Sequence, residues 1–175
     1  MKIVDLAIVV TLACAASAHA ADVKVVKKFD EWILIQHEDP MTDAKQCFLS
    51  YGKDKTITFN TDNTFRVNYA GRGGVTDFQY RFGKAAASEP MSVKDYEGSL
   101  IKIPALLVEV FDQPNLRVSG QKVIGGSIDL NVSLKGLKAG REAMAALCEV
   151  ADLPSIKDDK RSWANWQVTA PQKQN

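Results

Sequence analysis

The stretch Asp39-Pro40-Met41-Thr42-Asp43-Ala44-Lys45-Gln46-Cys47 places two carboxylates, a hydroxyl and a thiol within nine positions. A calcium loop would need oxygens in an Asp-x-Asp-x-Asp-Gly arrangement, and a zinc hydrolase would need His-Glu-x-x-His on a helix; neither spacing occurs here or around His37-Glu38. Adjacent side chains of an extended segment point apart, so such ligands would not converge. The stretch reads instead as a solvated turn, with Thr42 or Asp43 bonding local amides, that leads into a strand carrying Cys47.

Of the two histidines, His19 lies among the first twenty residues and His37 in the body of the chain. A Ser-His-Asp or Cys-His mechanism would have to use His37, yet no Gly-x-Ser-x-Gly elbow is present to supply the nucleophile. Gly71-Arg72-Gly73-Gly74 lacks the Gly-Lys-Ser/Thr ending and the following helix of a phosphate cradle, and reads as a hairpin tip. Trp163 and Trp166 have faces that could stack on a sugar or contact a partner, although such rings also cover core edges. Lys24, Lys27 and Lys28 could meet an anionic surface, but three charges near a chain end are ordinarily solvated. Asp and Glu are plentiful, so hydrolysis by a facing carboxylate pair stays open at this level. No catalytic set, metal site or cofactor motif is assigned.

The first twenty residues have Lys2, an apolar run from Leu6 to Cys14, and small residues ending in Ala18-His19-Ala20. This is the pattern of a secretory signal peptide, with cleavage expected between Ala20 and Ala21. Lipidation at Cys14 is the alternative, but Thr11 stands where such signals carry leucine. No later run approaches the length of a membrane-spanning helix. Removal of residues 1–20 leaves Cys47 and Cys148, an even pair in a compartment where thiols oxidise, and the expectation is a structural disulfide. Closing a loop of about one hundred residues contributes about 4 to 5 kcal/mol in the chain-entropy model.

The remaining length suits one domain with a sizeable core. With 22 basic and 21 acidic residues, the chain has no basic field to recruit nucleic acid. From Glu31 to Phe111 short segments alternate at period two: Ile57 and Phe59, then Phe65, Val67 and Tyr69, then Phe78, Tyr80 and Phe82. Leu106 to Phe111 reads as a buried strand, and Ser127 to Leu134 alternates with Ile128, Leu130, Val132 and Leu134 on one face. The period then changes. Leu137, Gly140, Met144 and Leu147 recur at helical spacing, which predicts an amphipathic helix over residues 136–150 with Cys148 near its end. Residues 21–30 read as an N-terminal extension, 31–150 as the domain and 151–175 as a C-terminal extension in which Trp163 to Val168 forms a last strand.

An early Trp32, the 39–47 stretch, the strand "FQYRFG" from Phe78 and a final strand running into "SLKGLKAGREAMAALC" from Ser133 together carry a family likeness. The chain resembles small secreted proteins of the invasion-associated locus B type. It is also similar to the type VI secretion-associated TagO/VasI periplasmic proteins, whose Gly-Leu, alanine-rich helix and Cys block is matched by Gly136-Leu137 through Cys148. The resemblance implies an exported envelope protein without established enzyme activity, tied to host-cell entry or to secretion machinery. The expected fold is mainly β: an antiparallel β-sandwich with one C-terminal α-helix docked across it and linked through Cys47 and Cys148. The expected role is that of a periplasmic or secreted binding or adaptor protein. It would recognise an envelope or host protein through loops or a strand edge. The alternatives are a carrier of lipid or small ligand, and a carboxylate-dependent hydrolase of envelope material.

Overall fold

A computed structural model describes residues 22–69, 74–92 and 100–155. Residues 1–21 with the expected Ala20–Ala21 cleavage junction, Gly71 to Gly73, and the tail with Trp163 and Trp166 lie outside the described residues.

In chain order the strands are β1 (Asp22–Phe29), β2 (Trp32–Glu38), β3 (Lys45–Tyr51), β4 (Ile57–Asn60), β5 (Thr64–Asn68), β6 (Val75–Phe82), β7 (Met91–Ser92), β8 (Leu100–Pro104), β9 (Asn115–Lys122) and β10 (Ser127–Ser133). A short 3-10 helix, Val108–Asp112, precedes β9, and one α-helix, α1 (Leu137–Ala145), follows β10. One sheet has the order β1-β2-β3-β4-β5-β8 and the other β10-β9-β6-β7. Every pairing is antiparallel.

Side-chain alternation explains why these segments are strands. In β5, Phe65 and Val67 are buried while Thr64 and Arg66 are not, and in β6 Phe78, Tyr80 and Phe82 turn inward between polar neighbours. A register row of Leu34, Leu49, Phe59, Phe65 and Ile103 crosses the larger sheet, every member fully buried. Phe65 meets Phe82 of the other sheet at 5.7 Å between ring centroids, and Phe59 meets Phe111 edge-on at 5.5 Å. Burial of each such ring contributes about 1.5 to 3 kcal/mol. The sheets are also joined by polar contacts, because the Trp32 indole donates to the Ser133 carbonyl at 3.0 Å and the Ser133 amide donates to the Tyr51 hydroxyl at 3.3 Å.

Gly136 sets where α1 begins. Its φ of 85° lies in the left-handed region, and a Cβ there would stand 2.3 Å from the Phe29 carbonyl oxygen, so only glycine fits. Leu137, Gly140 and Met144 form the buried face of the helix. The helix is shorter than the periodicity predicted: it ends at Ala145, and Leu147 is 43% exposed. The chain turns after Met144, whose carbonyl accepts the amides of both Leu147 and Cys148. Cys148 then joins Cys47 of β3 in a disulfide with Cα atoms 6.0 Å apart. This ties the segment after the helix to an early strand.

Three further expectations are corrected. Residues 106–111 form no strand. Leu107, Val110 and Phe111 are buried at helical spacing, and the Val110 and Gln113 amides bond the carbonyls three residues back. The strand-rich body begins before Glu31, since β1 pairs with β2 along its length. β5 and β6 do not pair as a hairpin, because the two strands belong to different sheets.

Candidate functional site

The 39–47 stretch closes the β2–β3 hairpin through its own backbone. The Asp39 amide donates to the Ala44 carbonyl at 3.0 Å, and the Thr42 and Asp43 amides donate to the Asp39 carbonyl. One carboxylate oxygen of Asp39 accepts the Met41 amide at 2.8 Å, and the Thr42 hydroxyl accepts the Ala44 amide at 3.4 Å. Asp43 adopts φ 54° and supplies the turn conformation, so the local-amide role expected of Thr42 or Asp43 falls to Thr42 and Asp39. Among the described residues no three His, Cys, Asp or Glu side chains converge as a metal site.

His37 sits in β2 between Val23 of β1 and Gln46 of β3, neither of them a nucleophile or an acid. Four carboxylates face lysine or arginine, not one another: Glu31 with Lys53 and Asp30 with Lys135 at 3.0 Å, Asp112 with Lys138 at 3.0 Å, and Asp62 with Arg66 at 2.8 Å. Partial burial alone would raise the Asp62 carboxyl, but hydrogen bonds from the Thr64 hydroxyl and Arg66, with the Arg66 charge, hold it below its ordinary value. Beside the disulfide an open groove of about 250 Å³ is lined by Lys45, Gln46, Asn60, Arg66 and Glu149.

Three exposed valines, Val23, Val25 and Val26, lie together on β1. This strand is at one end of the six-stranded order, and its outer flank pairs with no strand among the described residues. Val23 is 58% exposed and Val25 65%. The register shifts between Val25 and Lys27, leaving Val26 without a cross-strand partner, which is a bulge. Val25 lies opposite Ile35, and Ile35 opposite Phe48, so an apolar strip runs from the free edge across the outward face of three strands. Lys24, Lys27 and Lys28 are all exposed along the same strand, with the Lys27 ammonium 5.3 Å from the Phe29 ring centroid.

Lysines and a bulge are how edge strands resist indiscriminate pairing. Exposed valines do the opposite, and the combination favours an extended partner with apolar and acidic residues in alternation. The sequence carries this signal, since Val23 and Val25 alternate with Lys24, but nearness to a chain end makes the segment look like an extension. No family model, curated protein or solved structure matches the chain.

Proposed function

We propose that this protein is an exported, non-catalytic binding or adaptor protein of the bacterial envelope that docks a protein partner by strand addition to β1. The observation that carries the reading is the flank of β1 that no strand among the described residues pairs with, and its exposed Val23 and Val25 beside Lys24, Lys27 and Lys28. Backbone groups along such an edge supply affinity, and alternate side chains supply selectivity. Export is supported by the signal-like residues 1–20 and by the Cys47–Cys148 disulfide, which suits an oxidising compartment. Association with host-cell invasion or secretion machinery follows the resemblance to invasion-associated locus B and TagO/VasI proteins. The interleaved rings of Trp32, Phe65 and Phe82 fill the space between the sheets where a carrier would hold its ligand, which favours docking at the surface.

The test is photo-crosslinking in intact cells, with the reactive residue placed at Val25 or, as a control, at Ile124, an exposed apolar position on the β9–β10 turn. A discrete protein adduct formed from position 25 and not from 124 is the expected result. Equal labelling from both positions, or adducts only with lipid or glycan, would overturn docking at β1.

A further inference from the structure

The outward face of the four-stranded sheet carries a second feature, independent of β1. Register places Arg81 of β6 directly opposite Arg117 of β9, and Arg117 opposite Asn131 of β10. The next row is Gln79, Ser119 and Asp129, and the one beyond it Asp77, Gln121 and Ser127. Arg81, Arg117, Ser119 and Asp129 help line an open groove of about 400 Å³ on this face.

Like charges directly opposite each other across an antiparallel pair are destabilising. Elsewhere in the fold the cations Lys53, Arg66, Lys135 and Lys138 each have a carboxylate partner within 3.0 Å. Neither the Arg81 nor the Arg117 side chain has an ion-pair or hydrogen-bond partner among the described residues, and Asp129 is not drawn onto either. Two arginines at opposed register positions in one groove offer guanidinium donors of the planar geometry that grips an oxyanion bidentately. Asp77 and Asp129 in the neighbouring rows would repel further negative charge while accepting hydrogen bonds from hydroxyls, as Ser119, Ser127 and Gln121 also can.

We propose that Arg81 and Arg117 anchor a binding site for an acidic saccharide, gripping one carboxylate, phosphate or sulfate while the polar rows hydrogen-bond the surrounding hydroxyls. A single anionic group on a hydroxylated body satisfies the groove; a densely charged polyanion does not, because the two aspartates oppose it.

The experiment is a heteronuclear NMR titration of the disulfide-bonded protein with glucuronic acid, glucose 6-phosphate and glucose 6-sulfate, using glucose and inorganic phosphate as controls. At least one acidic sugar should bind about tenfold or more tightly than either control, with shifts confined to β6, β9 and β10. The three acidic probes distinguish which oxyanion is held. Arg117→Gln should weaken that binding about tenfold or more, and Arg117→Lys should fall between, since it keeps the charge and loses the fork. Without ligand, Arg117→Gln should melt at the same temperature as the parent or higher, because it removes an opposed charge. A lower melting temperature for ligand-free Arg117→Gln, glucose or phosphate binding as tightly as the acidic sugars, or no binding by any acidic sugar, would each overturn the assignment.

Discussion

Arg141 donates from Nε to the side-chain oxygen of Asn63 at 2.8 Å, joining α1 to the turn between β4 and β5. Asn63 Nδ2 and Arg141 Nη2 both donate to the Ala151 carbonyl, at 2.6 and 2.8 Å, and the Asn63 carbonyl accepts the Ala105 amide at 2.8 Å. The guanidinium also lies 5.6 Å from the centroid of the Phe111 ring. One buried asparagine thus holds together the turn, the exit of β8, the helix and the segment that follows it. Asn63 has φ 55°, a left-handed conformation that asparagine tolerates better than most residues.

Asn63→Ala loses both bonds and strains the backbone, and is expected to cost about 2 to 3 kcal/mol. Asn63→Gly loses the same bonds without the strain and should cost less. Urea unfolding of the two variants separates the contributions; equal losses would show that the backbone conformation contributes nothing.

The disulfide spans 101 residues. Cys148→Ser is expected to lower stability by about 4 to 5 kcal/mol under oxidising conditions. Reductant should bring the parent down to the level of the variant, and thermal unfolding with and without it checks this. An unchanged midpoint for Cys148→Ser would show that the bond does not stabilise the fold.

Gly136→Ala puts a Cβ against the Phe29 carbonyl at a left-handed φ. The expected cost is at least about 2 kcal/mol. Because Phe29 ends β1, amide hydrogen exchange should accelerate in β1 as well as in α1. Loss of protection in α1 alone would separate the helix start from the edge strand.

Asp62 has a folded-state pKa below its ordinary 3.8. A depressed carboxylate contributes stability that is present above the unfolded value and lost as pH falls through the lower folded value. The stability difference between the parent and Asp62→Asn should therefore stay constant over about pH 5 to 8 and shrink only below about pH 4. Denaturant melts across that range measure it. A difference that shrank on going up from pH 5 would contradict the sign.

Much of the architecture was legible. The alternation in β5, β6 and β10 follows from one-sided burial, and the change of period after Leu134 marks the helix. The cysteine count pointed to Cys47–Cys148. Where reading failed, long-range contacts had overridden a local pattern. β9 went unread because Leu116 and Val118 stand among Arg117, Ser119 and Gly120, yet it is a central strand flanked by β10 and β6. Residues 106–111 looked like a strand because a short apolar run has no decisive period, and burial of Leu107, Val110 and Phe111 together made it a helical turn. The Asn63–Arg141 bond and the Arg81–Arg117 opposition each join residues far apart in sequence, and only register and docking bring them together. The turn at 39–47 is legible from its residue types, although the side chain accepting the Met41 amide is that of Asp39.

The most direct measurement of the central claim compares partner capture by three forms of the protein: the parent, a Val23→Lys/Val25→Lys double variant, and Ile124→Lys. Both variants change exposed residues and should unfold within about 0.5 kcal/mol of the parent. The expected result is that the parent and Ile124→Lys retain the same protein partner from intact cells while the double variant loses it. Full retention by the folded double variant would contradict docking at β1.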